Sequence, residues 1–437
     1  MMKVAIVGAG VGGLCAAYDL VNAGSEVVIY EASDQVGGLA AGFKDPRWDW
    51  TVEKYYHHWF ASDKHVLGLI DELGWKDQVL FPRPITAVYY DGQFYALDSV
   101  IAVLRFPGVS LINRLRLGLA IAYLKYVASW QPLEKVTAES WLQKWMGKQA
   151  YSILWEPLLV GKFGPHFREV NMAWMWARFK ARTPRLGTFV GGFQAFVDLL
   201  SDHIQSKGAV LNLGTPVSRI EPLPDGRINL SLQDRDEVFD QCLVTTSPAQ
   251  LSRFAPSLPD SYLKNLFSLK SMGAVVLILA LKNQLAESGI YWHSLPKEAG
   301  FPFLSLVEHT NYVSKEHFGG DHIVYCGDYL EPVHEYFSLT KEELLGRFLP
   351  ELKRFNPKFV ESWVRDSWLF KTEYAQPVPP LNHSKSIPDM KTPIKGLWFA
   401  SMSQVYPWDR GTNYAVELGR KVARRMLMED SQQGLST

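Results

Sequence analysis

Residues 3–31 read KVAIVGAGVGGLCAAYDLVNAGSEVVIYE. Lys3–Val7 is a short apolar run, the pattern of a strand buried on both faces of a parallel sheet. Gly8, Gly10 and Gly13 then make a GxGxxG turn, with Ala9, Val11 and Gly12 between them. Leu14–Ala23 predicts a helix, and Glu26–Tyr30 predicts a second strand ending at Glu31. Glu31 stands 18 residues beyond Gly13, the interval of a first βαβ unit. Dinucleotide binding gives each part a mechanical reason. Gly8 permits the tight turn, Gly10 lets the backbone approach a pyrophosphate, and Gly13 lets the helix pack on the strand. Unpaired N–H groups at the helix start meet the phosphate charge. The carboxylate of Glu31, followed by Ala32, is placed to accept ribose hydroxyls and to repel a 2′-phosphate.

The bulk properties narrow the class. At 437 residues the chain is long enough for two intertwined domains. Lys+Arg and Asp+Glu both number 45, so there is no basic field to attract nucleic acid. Cys15, Cys242 and Cys326 fit no CxxC spacing; they predict buried free thiols in a reducing cytosol, with no metal site. Met1-Met2-Lys3 leads directly into a strand, a start without room for a signal peptide, and the expected location is cytoplasmic. The apolar runs Leu117–Leu124 and Ser271–Leu281 are far short of the roughly 20 residues of a membrane span. Ser271–Leu281 predicts a buried strand. Phe106–Trp130 mixes apolar residues with Arg114, Arg116 and Lys125; it reads first as a core helix, and second as a helix lying on the inner face of a membrane.

Further along, Gly37-Gly38-Leu39-Ala40 forms another glycine turn, and the aromatic stretch Trp48–Phe60 predicts extended chain. Ser62–Leu73 predicts a helix, and Val88–Leu97 a hairpin turning at Asp91-Gly92. Residues 100–180 are helical in pattern and rich in tryptophan, as in an inserted helical block. Phe193–Lys207 and Lys341–Phe355 predict helices; Val210–Leu213, Val217–Glu221, Arg227–Leu232, Glu237–Thr245 and Gly396–Ala400 predict strands. Gly411-Thr412-Asn413 opens a last helix reaching about Met428, and 431–437 predicts a disordered tail. Strands at the start, middle and end of the chain can share one sheet. This gives a discontinuous cofactor domain (1–75, 187–265, 390–430) and a substrate domain (76–186, 266–389).

With these motifs in place the chain resembles the flavin amine oxidase superfamily, which includes monoamine oxidases, protoporphyrinogen oxidases, phytoene-type desaturases and, more distantly, UDP-galactopyranose mutases. Three segments carry the resemblance: GAGVGGL with YEASDQVGGLA, GTFVGGFQAFVDLLSDHIQSKGAVLNLGTPVSRIE, and GLWFASMSQVYPWDRGTNYAVELGRKVARRML. It implies a Rossmann-like α/β FAD-binding domain with an interleaved mixed α+β substrate domain and a helical insertion. It implies FAD contacts at Gly37, Gly38, Leu39 and Ala40, at the backbone of Val217, and at Ser401, Gly411, Thr412, Asn413 and Tyr414. Two positions depart from the family: Leu39 where many members carry arginine, and Ser401-Met402 where many carry Gly-Asp. The closing helix also has a physical rationale, since a helix N-terminus stabilises negative charge on a flavin ring.

By the same resemblance, Glu53–Phe60 runs beside the isoalloxazine ring. Tyr56, His57 and His58 are the candidate catalytic residues, as cavity walls and substrate positioners or in proton transfer. In a strand His57 and His58 would point to opposite faces and not share a metal. Arg178, Arg182 and Arg185 form a candidate basic cluster, and Arg410 reads either as an anion partner or as a surface ion pair. A single glycine fingerprint supports no separate NADPH site, leaving oxygen or a quinone as electron acceptor. The expected function is an FAD-dependent oxidoreductase taking hydride from a C–N or C–C bond of a largely apolar small molecule (porphyrinogen-, polyene- or amine-like). The alternatives are a redox-neutral flavoenzyme resembling UDP-galactopyranose mutase and a non-catalytic flavin-binding protein, docked on a membrane through 106–130.

Overall fold

Lys3–Val7 lies at the centre of a five-stranded parallel sheet, between Glu26–Tyr30 and Gln241–Val244, with Val210–Asn212 and Leu397–Phe399 at the edges. Val4, Ala5 and Ile6 are fully buried, as a strand covered on both faces requires. The computed structural model describes residues 1–434. Its sheet therefore joins strands from the start, middle and end of the chain in the Rossmann-like α/β arrangement that the sequence predicts. The expected strand Glu237–Thr245 divides into Asp236–Phe239 and Gln241–Val244. Asp240 makes the corner: its N–H donates to Lys3 O at 2.9 Å, and its carboxylate accepts from Lys3 N at 2.7 Å. Asp236–Phe239 thereby joins an antiparallel meander with Arg219–Pro222 and Ile228–Ser231.

The second body is a seven-stranded mixed sheet. Its order is Val364–Pro377, Ser271–Leu281, His322–Leu330, Ser305–Glu308, Ile290–Ser294, Ile85–Tyr90 and Gln93–Ala96. Only the pairing of Ile290–Ser294 with Ile85–Tyr90 is parallel. Ser271–Leu281 is buried at ten successive positions because it is paired on both sides within this sheet. Trp48–Phe60 is not extended throughout: only Val52–Glu53 and Trp59–Phe60 pair, in two separate small sheets. The buried indoles of Trp48 and Trp59 anchor the segment in place of a ladder.

Residues 100–181 form a helical layer packed around Leu117, Leu124, Leu142, Phe163 and Trp174. Within it, Leu111–Tyr126 buries Leu117, Ala120 and Leu124, while Leu111, Ile112, Leu115, Leu119 and Tyr126 stay exposed. This corrects the core-helix reading of 106–130, because only one narrow stripe is covered. The closing helix spans Thr412–Gly434, four residues into the segment expected to be disordered; 435–437 lie outside the described residues. No described helix is long and apolar enough to cross a membrane.

Glu53 ties the two bodies together. Its Oε1 accepts from the N–H of Phe193, which opens the helix Phe193–Ser206, at 2.9 Å. Its carbonyl accepts from Tyr325 Oη at 2.9 Å, in the large sheet. Burial pushes the Glu53 carboxyl up to about 7 against those backbone donors. The native state thus keeps a proton that the unfolded chain releases above the ordinary carboxylate range, and this contribution to stability is lost as pH rises from about 4.5 to about 7. Glu53→Gln, a neutral isostere, should match the wild type near pH 4.5 and exceed its unfolding free energy at pH 8 by about 2–3 kcal/mol. Urea unfolding at the two pH values measures this difference; a constant difference across the range would contradict the assignment.

Candidate active site

The parallel sheet ends at one cavity of about 430 Å³. Gly8, Gly10, Val11, Gly12 and Glu31 line one part of it, and Gly37, Gly38, Leu39 and Ala40 border them. Gly10 is the N-cap of the first helix, Val11–Asn22, and offers no side chain to its open amides. Gly8 adopts φ +108°, and a Cβ there would meet Thr245 Oγ1 at 2.7 Å. Gly38 adopts φ +57°, and a Cβ on it would stand 3.2 Å from Gly10 Cα, so the two glycine turns abut through bare backbone. Glu31 is held by three donors: Ala9 N at 2.8 Å, Ser33 N at 3.0 Å and Ser33 Oγ at 2.8 Å. Open helix amides beside a fixed carboxylate fit the pyrophosphate and ribose of a dinucleotide.

At the start of the closing helix, Gly411 and Thr412 line the cavity. The N–H groups of Tyr414 and Ala415 both return to Gly411 O, which leaves the amides of Thr412 and Asn413 without an intrahelical acceptor. The neighbouring side chains have other tasks. Thr412 Oγ1 accepts from Trp59 Nε1 at 2.7 Å. Asn413 Oδ1 accepts from the N–H groups of His65 and Val66, at 2.9 and 3.1 Å, and so caps the helix Lys64–Glu72. Tyr414 stacks on Trp408 with ring centroids 5.6 Å apart. Ser401 bonds Tyr374 Oη at 2.8 Å and caps its own turn, and Met402 faces the cavity beside it. The Val217 side chain is buried in the core beneath the sheet, Ala32 is exposed, and Gly13 packs its helix on the strand turn, where a Cβ would lie 2.1 Å from Gly8 O.

Tyr55, Tyr56 and His57 form a further wall. His57 Nδ1 donates to Tyr55 O at 2.5 Å, which leaves Nε2 as an acceptor. Burial, aided by the Arg410 charge, holds this imidazole down to about 4, neutral near pH 7. Tyr56 Oη pairs with Ser305 Oγ at 3.2 Å, and burial keeps its phenol protonated. His58 does not line the cavity: its ring packs on Phe60, its buried Nδ1 has no partner, and burial with nearby Arg182 lowers it to about 3. The two histidines part company through these contacts, since neither lies in a strand. Among the described residues no His, Cys, Asp and Glu cluster could hold a metal.

Beyond the sequence candidates, Thr245, Thr246 and Ser247 reach the cavity from the end of Gln241–Val244. The rule that ligands sit outside the carboxyl ends of parallel strands was the signal for them. Asp328, Tyr329, Thr372 and Tyr374 enter from the large sheet, and no motif marks them. Asp328 is pushed up to about 7 by burial although Lys297 lies 3.5 Å away. Arg410 lines the cavity, donating to Tyr329 Oη and, at 3.1 Å, to Gln376 Oε1. Behind it, Asp409 accepts from Arg178 at 3.2 Å and from Trp174 Nε1 at 3.0 Å.

Comparison with known proteins agrees with this geometry. Residues 11–427 match the family model described as flavin containing amine oxidoreductase. A 15-cis-phytoene desaturase of Glycine max is 23% identical over 476 residues, covering 99% of this chain and 80% of the relative. Cyclohexylamine oxidase from Brevibacterium oxydans superposes with TM-score 0.75 at 17% identity, covering 98% of this chain and 99% of its own. Reduced UDP-galactopyranose mutase superposes with TM-score 0.77 at 15% identity, covering 98% and 94%. The match across nearly the whole chain, with a cavity built for a dinucleotide, settles the family: the chain belongs to the flavin-containing amine oxidoreductases and is an FAD-dependent oxidoreductase.

Proposed function

We propose that the chain takes hydride from a C–C bond of a largely apolar small molecule of polyene or porphyrinogen type. When bound, FAD supplies the two-electron acceptor. The observation carrying this reading is the charge of the cavity wall around Tyr55–His57. Arg410 faces the cavity with Arg178 close behind, and both histidines are held neutral by burial. A protonated amine would meet positive potential there. Asp328, the acid lining the cavity from the large sheet, is held toward neutrality and already has Lys297 beside it. Ala274, Val276, Ala375 and Val405 supply an apolar surface for a hydrocarbon body. Likeness to a protein named as a phytoene desaturase favours the same class. The chain's residues hold the substrate between tyrosine walls, exclude water and offer neutral hydrogen-bond partners. With one glycine fingerprint, oxygen or a quinone is the outlet for electrons.

An apolar substrate of this kind partitions into lipid, and the helical layer offers a way to reach it. Ile101, Leu104, Leu111, Ile112, Leu115 and Leu119 are exposed on this layer. Residues 99–133 carry Arg105, Arg114, Arg116 and Lys125 and no acid. Apolar side chains with unopposed cations suit an anionic bilayer surface, and we assign this face to peripheral contact with one.

Two measurements test these readings. Under anaerobic conditions the bound flavin should be bleached by a polyene or porphyrinogen and left oxidised by cyclohexylamine; bleaching by the amine alone would overturn the substrate class. Phosphatidylglycerol-containing vesicles should pellet the protein, and Leu115→Glu with Leu119→Glu should weaken that binding at least about 10-fold, given the cost of placing two charges in an apolar interface. Equal pelleting of wild type and variant would remove the membrane assignment.

A further inference from the structure

The polar groups around Arg410 do not balance in charge. Arg178 ion-pairs with Asp409 at 3.2 Å while its guanidinium lies 4.9 Å from the Trp174 ring centroid. Lys162 is 3.4 Å from Gln376 Oε1 and 4.5 Å from the Tyr329 ring centroid. Arg182 forms no ion pair among the described residues, and repulsion from Arg178 pushes it down to about 9. Three guanidiniums and one amine therefore share a single carboxylate, Asp409. Burial opposes its ionisation, but Lys162, Arg178 and Arg410 hold it well below the usual carboxylate range. Burial, with Arg410 next, lowers Lys162 well below its ordinary value. Arg182 reaches water, but even with Lys162 neutral the enclosed Arg178 and Arg410 still face one negative group. Uncompensated charge away from water is costly and persists where a ligand brings the opposite sign.

A second observation points to the same place. His58 Nδ1 is buried without a hydrogen-bond partner, and Arg182, Arg410 and Lys162 are all near enough to act on its imidazole. Held neutral by burial and these neighbours, the imidazole brings no negative charge to offset the cations, so the imbalance around Arg410 stands.

We infer that Arg410, with Arg178 and Arg182 behind it, forms a subsite for an oxyanion carried by the substrate, a carboxylate on an otherwise apolar body. The inference rests on the reading that substrate occupies the cavity beside Tyr55–His57. Arg410 makes the contact from the cavity wall, and its bonds to Tyr329 and Gln376 fix its plane. Arg178 and Arg182 stand behind it and raise the local potential. The apolar lining at Ala274, Val276 and Ala375 favours a hydrocarbon acid over a sugar-nucleotide diphosphate, the other source of an oxyanion.

Binding of retinoate and of methyl retinoate to the FAD-loaded protein, read by quenching of tryptophan fluorescence, separates these cases. The two probes share one apolar body and differ by one charge. Retinoate should bind at least about 10-fold more tightly than its ester, the scale of one charge-assisted hydrogen bond. That ratio should fall toward one in Arg410→Gln and in Arg182→Gln, and recover in Arg410→Lys. Arg182 is exposed, so its variant folds even where Arg410→Gln does not, and retained FAD checks folding in each. Equal affinity of the two probes for the wild type overturns the proposal. So does an unchanged ratio in both Gln variants accompanied by a shifted flavin potential, which would assign the cations to the cofactor. UDP displacing retinoate would assign them to a diphosphate. The preference is a binding constant, so it stands or falls separately from the anaerobic test of the reaction.

Discussion

The first helix and the closing helix cross at glycine, and the cavity depends on that crossing. A Cβ on Gly419 would stand 2.2 Å from Gly12 O, closer than any side chain permits. Both backbones therefore meet without intervening atoms, some four hundred residues apart in sequence. Arg420, one residue on, locks the arrangement through Asp19 at 3.0 Å and Glu72 at 2.7 Å. The consequence is electrostatic. Open amides at the start of both helices face one cavity, so an anionic pyrophosphate and an electron-rich ring can each meet a positive helix end.

The same sign of potential continues along the cavity. Arg410 and the cations behind it add full charges, the histidines are neutral through burial, and the phenols of Tyr55 and Tyr56 stay protonated. Glu31 is the carboxylate that the fold fixes with three hydrogen bonds, and it sits beside the glycine turn, where a ribose would be read. Acids nearer the tyrosines are either held toward neutrality, as Asp328 is, or enclosed by cations, as Asp409 is. This distribution suits neutral or anionic ligands and works against cationic ones. Under the proposed reading, electrostatics is what separates substrate classes that a shared fold leaves open.

How far the sequence revealed this architecture depended on the range of the interactions. The βαβ unit was legible because strand, turn and helix are neighbours and each glycine has a local reason. The sharing of one sheet by 3–30, 210–212, 241–244 and 397–399 followed from the strand pattern together with the family resemblance. The side-chain partners of Asn413 and Tyr414 were not legible: Asn413 caps a helix some 350 residues earlier and Tyr414 stacks on Trp408. Such partners are set by tertiary packing and leave no trace in spacing. The alternation argument for His57 and His58 assumed a strand that buried tryptophans replace. Arg178 and Arg182 were visible as a basic cluster, but only the fold brings Lys162 and Arg410 to them. The exposed stripe on Leu111–Tyr126 was ambiguous because an apolar helix reads alike whether covered by protein or by lipid.

The central claim is that a glycine contact between two distant helices builds the cofactor cavity. Gly419→Ala, compared with Gly118→Ala, tests it through FAD affinity and urea unfolding. Gly118 is an exposed helix position with nothing within 4 Å of its Cβ, so its variant should bind FAD as the wild type does. Gly419→Ala should lose about 1–3 kcal/mol of stability by overpacking and bind FAD at least about 10-fold more weakly. A Gly419→Ala protein with wild-type stability and FAD affinity would contradict the account.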